Sequence, residues 1–124
     1  MHLHYKLNIM IHKNMDVWKL SMDLVINVYG ITAKFPSEER FGLAQQMRRA
    51  AVSIPSNIAE GAARKSPNEF VQFLYISLGS LAELETQLII CERLGFSKVD
   101  LSTDHDNLNR IRKMLIGLIR YKKG

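Results

Sequence analysis

One cysteine and three prolines are all that this chain of 124 residues contains of either type. A lone thiol, Cys91, cannot close an intramolecular disulfide. It sits in the apolar run Leu88-Ile89-Ile90-Cys91 and reads as a buried structural residue, since a reactive thiolate needs basic neighbours and exposure. The scarcity of proline leaves long helices permitted. No run of about 18 uncharged apolar residues occurs, so no membrane span is expected. The N-terminus lacks the basic, apolar and small-residue order of a signal peptide, and a cytoplasmic location is the expectation that follows. Glycine-rich phosphate loops, paired-cysteine zinc motifs, H-E-x-x-H and G-x-S-x-G are missing as well. Beyond residue 15 the single histidine is His105, and Glu60, Glu69, Glu83 and Glu85 lack the Glu-x-x-His spacing that metal sites in helix bundles use. Neither enzymatic activity, a metal nor a cofactor is expected.

What is present suits one globular domain. The apolar fraction is 47% and the charged fraction 23%. A chain of this length buries roughly two-thirds of its unfolded surface and needs no covalent staple. The net charge of +5 and the pI of about 9.5 favour acidic partners, nucleic acid first, through phosphate attraction that does not depend on sequence.

Hydrophobic periodicity divides the chain into an N-terminal extension, residues 1–15, and a helical domain, residues 16–122. In the extension, Leu3, Tyr5, Leu7, Ile9 and Ile11 alternate with His2, His4, Lys6, Asn8, Met10 and His12. Period two reads as a short strand. A lone strand needs a partner, so the segment either pairs with a neighbouring copy or frays, unless Met15 is the natural start and the segment lies upstream of it. From Asp16 to about Lys34 a helix is expected, with Asp16, Lys19, Asp23, Asn27, Gly30 and Lys34 as one narrow polar stripe. Its apolar surface, with Val17, Trp18, Leu20, Leu24, Val25, Val28, Tyr29 and Ile31, is wider than one bundle can hide, which implies burial against another subunit. A second helix is expected after Ser37, with Glu38 and Glu39 in its first turn and Leu43, Met47, Ala50, Ile54 and Ile58 as its core line. Pro55 bends it, and Ser53, Ser56 and Asn57 are candidates to satisfy the carbonyl that the proline frees. Ser66-Pro67-Asn68-Glu69 is a capping box that starts a third helix, which ends at Leu94-Gly95. At its middle, Ser77, Gly79, Ser80 and Ala82 are small, and a close helix approach at Gly79 is expected. A fourth helix begins near Ser102 or Thr103, carries Leu108, Ile111, Leu115 and Leu118 inward, and ends in Arg120, Lys122 and Lys123. Four helices on short connections predict an all-α, antiparallel, up-down-up-down four-helix bundle.

Two stretches go further. Glu39-Arg40-Phe41-Gly42-Leu43, followed by Gln46, Arg48-Arg49-Ala50-Ala51 and Ser53-Ile54-Pro55-Ser56-Asn57-Ile58-Ala59-Glu60-Gly61, forms the first. Phe73-Leu74 with Leu78-Gly79-Ser80-Leu81-Ala82-Glu83-Leu84-Glu85-Thr86-Gln87 forms the second. Together they resemble the four-helix-bundle family encoded in the intervening sequences of bacterial 23S ribosomal RNA genes, over roughly residues 16–120. The resemblance implies a left-handed antiparallel bundle assembling as a ring-shaped homopentamer. The chain is similar also to the accessory variability determinant of diversity-generating retroelements, which binds nucleic acid and works beside a reverse transcriptase. No catalytic residue or cofactor comes with the resemblance.

Two groups of residues are the candidate sites. The row Gln46, Arg49, Ser53, Asn57 and Glu60 follows helical spacing and is wholly polar. It reads as a hydrogen-bonded network between helices or subunits, with Glu83 as a further member and Arg49 paired to Glu60, Glu83 or Glu85. A ligand groove lined by Arg49 and Asn57, or a simple solvated face, are the alternatives. The antiparallel topology also gathers Lys13, Lys19, Arg64, Lys65, Arg120, Lys122 and Lys123 at one end, against Asp16, Glu60 and Glu69. The other end carries Lys34, Arg40, Arg93 and Lys98 against Glu38, Glu39, Asp100, Asp104 and Asp106. In a ring of parallel protomers the first end becomes a positive rim that attracts RNA or DNA backbone. No base-stacking element stands out beside it in the sequence. The competing class is a protein-interaction scaffold that recruits a nucleic-acid enzyme or ribosomal component, with the basicity incidental.

Overall fold

The computed structural model describes residues 12–124. Its helices are α1 (Asp16–Thr32), α2 (Leu43–Ala62), α3 (Pro67–Leu94) and α4 (Ser102–Lys123), with a 3₁₀ turn at Ser37–Glu39 before α2. Each helix packs on the next, α1 also packs on α4, and the diagonal pairs do not touch. That is a four-helix bundle, all-α among the described residues. The expected N-terminal strand falls mainly on residues 1–11, outside the described residues. Residues 12–14 are a helical turn, and the His12 ring meets the Trp18 ring edge-on at 5.4 Å.

The core follows from the inward line of each helix. Leu24 and Val28 of α1, Met47, Ile54 and Ile58 of α2, Leu74, Leu81, Leu84 and Leu88 of α3, and Leu108, Ile111 and Leu115 of α4 are buried. Close packing of such side chains is the main favourable term, roughly 1.5–3 kcal/mol for each fully buried one. On α4, Ile119 rather than Leu118 completes the inner line. Two polar groups are spent within the core region: Ser21 Oγ donates to the Trp18 carbonyl (2.8 Å) and Ser77 Oγ to the Ile54 carbonyl (2.9 Å). Both hydroxyls are thereby satisfied, as burial requires.

Helix ends match their local chemistry unevenly. The Ser66 Oγ accepts from the Glu69 N–H (3.2 Å), and Pro67 occupies the first helical position. At the other end of α3, Gly95 adopts φ 72°, and Phe96 N–H reaches the Cys91 carbonyl at 3.0 Å, closing a Schellman cap. The start of α2 differs from expectation. Ser37, Glu38 and Glu39 form only the 3₁₀ turn, and the helix proper begins at Leu43 after Gly42. The break lies at Gly42, whose φ −104° and ψ −114° are not helical, and ahead of the turn Phe35 is buried against Phe96 (5.5 Å between centroids). The first helix likewise stops at Thr32, short of Lys34.

Glycine placement is also corrected. A Cβ at Gly79 would meet nothing within 4 Å, so no helix approaches it closely within the protomer. The close approach is at Gly61, where a Cβ would stand 2.7 Å from Phe73 Cβ and 2.9 Å from Phe70 Cδ1. Nor do the residues around Pro55 serve the carbonyl it frees. The Asn57 amide donates instead to the Ser53 carbonyl (2.8 Å) and hydroxyl (2.9 Å).

Two helices leave apolar surface uncovered. Met22, Ile26 and Tyr29 lie on one face of α1, with Ile26 68% exposed, and Ile76, Ile89, Ile90 and Leu94 are exposed on α3. The third helix is also the one helix among the described residues long and apolar enough, by length and composition, to cross a membrane. Its packing against α2 and α4 buries only part of that apolar surface, 33% of the most apolar window.

Candidate nucleic-acid interface

The end of the bundle where α2 finishes, α3 begins and α4 finishes brings cations and aromatic rings together. The Arg64 guanidinium lies over the Phe73 ring at 4.8 Å. The Lys122 ammonium lies 5.5 Å from the Phe70 centroid and 5.7 Å from that of Tyr121. Lys123 Nζ donates to the Tyr75 hydroxyl at 3.0 Å and lies off that edge of the ring, 5.4 Å from its centroid. The aromatic faces thus hold the cationic heads near the surface while leaving them hydrated, each contact contributing about 0.5–1 kcal/mol at exposed sites. Lys13, Lys19, Lys65 and Arg120 are exposed and form no ion pair with described residues. Arg64 has one, to Glu60 at 3.0 Å, across one helical turn. Both partners are about half exposed, so the pair is weak and its guanidinium is easily redirected to a phosphate.

These rings were not recognised from sequence as site residues. Phe70 and Phe73 fit the apolar periodicity of α3, and Tyr75 and Tyr121 carry no motif. The signal that finds them is topological: an antiparallel bundle puts the first turns of α3 beside the last turn of α4, so Tyr121 lies among Arg120, Lys122 and Lys123.

The polar row on α2 is only partly a network. Ser53 is its centre, linked to Asn57 within the helix and receiving a hydrogen bond from Ser80 Oγ of α3 at 2.8 Å. Glu60 pairs with Arg64, and Glu83 accepts from Gln87 Nε2 at 3.2 Å along α3. The Gln87 Oε1 is buried without a partner among the described residues. Gln46 and Arg49 are exposed and join nothing in the row. Arg49 does not meet Glu60, Glu83 or Glu85 within the protomer; those carboxylates engage Arg64, Gln87 and, from α4, Arg112 at 2.8 Å. That half-buried bridge across helices was invisible in the row's spacing.

The opposite end balances its cations with carboxylates and is internally engaged. Arg48, missed as a structural residue, donates through Nε to Thr32 Oγ1 (2.8 Å) and lies 4.5 Å over the Tyr29 ring, bracing the end of α1. Asp100 accepts from the Ser102 N–H (3.1 Å) and hydroxyl (2.6 Å), and these bonds hold its carboxyl below the usual range. His105 Nε2 meets Glu92 Oε1 at 2.8 Å. Asp104 lines a recess of about 420 Å³ with Ile26, Ile31, Lys34, Lys98 and Val99. Burial pushes its carboxyl up, and that outweighs the opposing backbone hydrogen bond and the nearby His105. A raised folded value favours the protonated form, so its stabilising share is present at low pH and lost as pH rises through the folded value. Asp104→Asn is therefore expected to raise the melting temperature at pH 7, with the gain vanishing near pH 3, as thermal denaturation at the two pH values will read.

Cys91 is buried, its thiol donates to the Leu88 carbonyl at 3.2 Å, and burial together with Glu92 pushes it up to about 11. It is a neutral core thiol at physiological pH. Among the described residues, no three His, Cys, Asp or Glu side chains converge on a point.

Among the described residues the chain is an all-α four-helix bundle, with cations and aromatic rings gathered at one end. The chain belongs to the 23S rRNA-intervening sequence protein family, whose family model matches residues 13–117. The comparison with curated proteins finds no match.

Proposed function

We propose that this chain is a non-enzymatic, self-associating binding protein whose basic end attracts the phosphate backbone of RNA or DNA without reading sequence. The observation that carries the reading is the seating of Arg64 and Lys122 on aromatic rings and of Lys123 at the Tyr75 hydroxyl, all at one end among further exposed cations, while at the other end acids balance the cations. Fixed positive charge on one face raises the local concentration of a polyanion and steers its encounter. Self-association rests on the apolar surface of α1 and α3, which one protomer leaves in water. The homopentamer implied by the resemblance would place the basic ends side by side.

Simultaneous neutralisation of Arg64, Lys65, Lys122 and Lys123 to Gln tests the reading. Affinity for a labelled 12-nucleotide RNA, measured by fluorescence anisotropy at about 50 mM salt, is expected to fall at least tenfold. Unchanged affinity would remove the proposal and leave the scaffold reading, in which the exposed Ile76, Ile89, Ile90 and Leu94 face of α3 meets a protein partner. A pull-down that survives nuclease treatment would favour that second reading.

A further inference from the structure

Resting on the charge reading above, we infer that the basic end is built for single-stranded nucleic acid, whose unpaired bases stack on Tyr121 and Tyr75. Tyr121 is 77% exposed in the last turn of α4, flanked in sequence by Arg120 and Lys122. Tyr75 is 45% exposed on α3 and is tied to α4 through Lys123. The rings therefore stand among the cations that would hold the backbone, which is the arrangement by which proteins grip single strands: charge tracks the phosphates and π faces take the bases. A duplex hides its base faces inside the stack and offers these rings nothing beyond the phosphates. Nor does this end present a helix laid lengthwise for a groove, since α2 and α4 terminate there and α3 starts there.

Tyr121 is the primary platform, because its ring is the more exposed and no described side chain caps it except Lys122 at 5.7 Å. Lys123 meets Tyr75 at its hydroxyl edge, so the ring faces stay clear for a base while the ammonium sits beside them for a phosphate. Sequence tolerance follows, since every base has a π face.

The test compares a labelled single-stranded 12-mer RNA, an abasic strand of equal length and a duplex of equal length, by anisotropy at one salt concentration. Wild-type protein is expected to bind the single strand about tenfold or more tightly than the abasic strand. Tyr121→Leu is expected to remove about tenfold of single-strand affinity and none of the abasic affinity, while Tyr121→Phe retains both. Equal binding of single-stranded and abasic strands, or a duplex bound as tightly, overturns stacking and leaves the charge reading standing. Absence of binding to all three overturns both. Binding of phosphatidylglycerol vesicles that Tyr121→Leu weakens about tenfold, with single-strand affinity unchanged, would assign the ring to a lipid surface and also overturn the inference. The abasic comparison needs no variant, so its outcome does not depend on a mutant folding.

Discussion

Raising salt from 50 to 200 mM is expected to weaken single-stranded RNA binding by about 50-fold if one protomer engages four phosphates. Each phosphate neutralised on a single strand contributes about −0.7 to the slope of log affinity against log salt, so four contacts give a slope near −3. All the basic residues assigned to this end of one protomer, from Lys13 to Lys123, would give at most about −5. A slope steeper than that requires cations from more than one protomer, and would show basic ends acting side by side. The Arg64, Lys65, Lys122 and Lys123 variant should flatten the slope by nearly 3 if one set is in contact. A slope near zero, with affinity intact, would mean that the partner is recognised by something other than charge.

The second large effect is on stability. Gly61→Ala is expected to lower the melting temperature by several degrees, and Gly79→Ala to raise it or leave it unchanged. Both changes gain helix propensity, up to about 1 kcal/mol for each. At Gly61 the new methyl would overlap Phe73 Cβ at 2.7 Å and approach the Phe70 backbone carbonyl at 3.3 Å. Overpacking of this kind costs about 1–3 kcal/mol, so it outweighs the propensity gain. Gly79 faces open space in the protomer. The two melts, read by circular dichroism, should therefore move apart. A fall at Gly79 as large as that at Gly61 would place a neighbouring subunit's helix against α3.

The contrast between these glycines shows what the sequence could and could not convey. Only Gly79 was expected to meet a close neighbour, but the face that receives one is set by how α2 and α3 rotate against each other, and it falls at Gly61. The same holds for helix starts. Ser66-Pro67-Asn68-Glu69 and Ser37-Glu38-Glu39 both look like helix beginnings, and local chemistry made the first real. The second gives only a 3₁₀ turn, because the chain leaves helical geometry at Gly42 before α2 begins. The four inward lines were legible because 3.6-residue periodicity alone determines them.

The candidate site divides in the same way. The gathering of basic residues at one end needed only the helix order and antiparallel topology. Its aromatic component did not show, because Phe70 and Phe73 satisfy the apolar pattern of α3 and Tyr75 and Tyr121 carry no motif. The polar row on α2 misled in the opposite sense. Its spacing was correct, yet Arg49 stayed exposed and the inter-helix ion pair formed between Glu85 and Arg112. Spacing places a residue on a face, but its partner is chosen by the facing helix.

Light scattering in dilute buffer, with and without a short RNA, addresses the whole account most directly. The expected result is a discrete species of several protomers, near 71 kDa for five copies of the 14.2 kDa chain, whose mass increases when RNA is added. A stable species of 14.2 kDa, unchanged by RNA, would contradict both the assembly through α1 and α3 and the role given to the basic end.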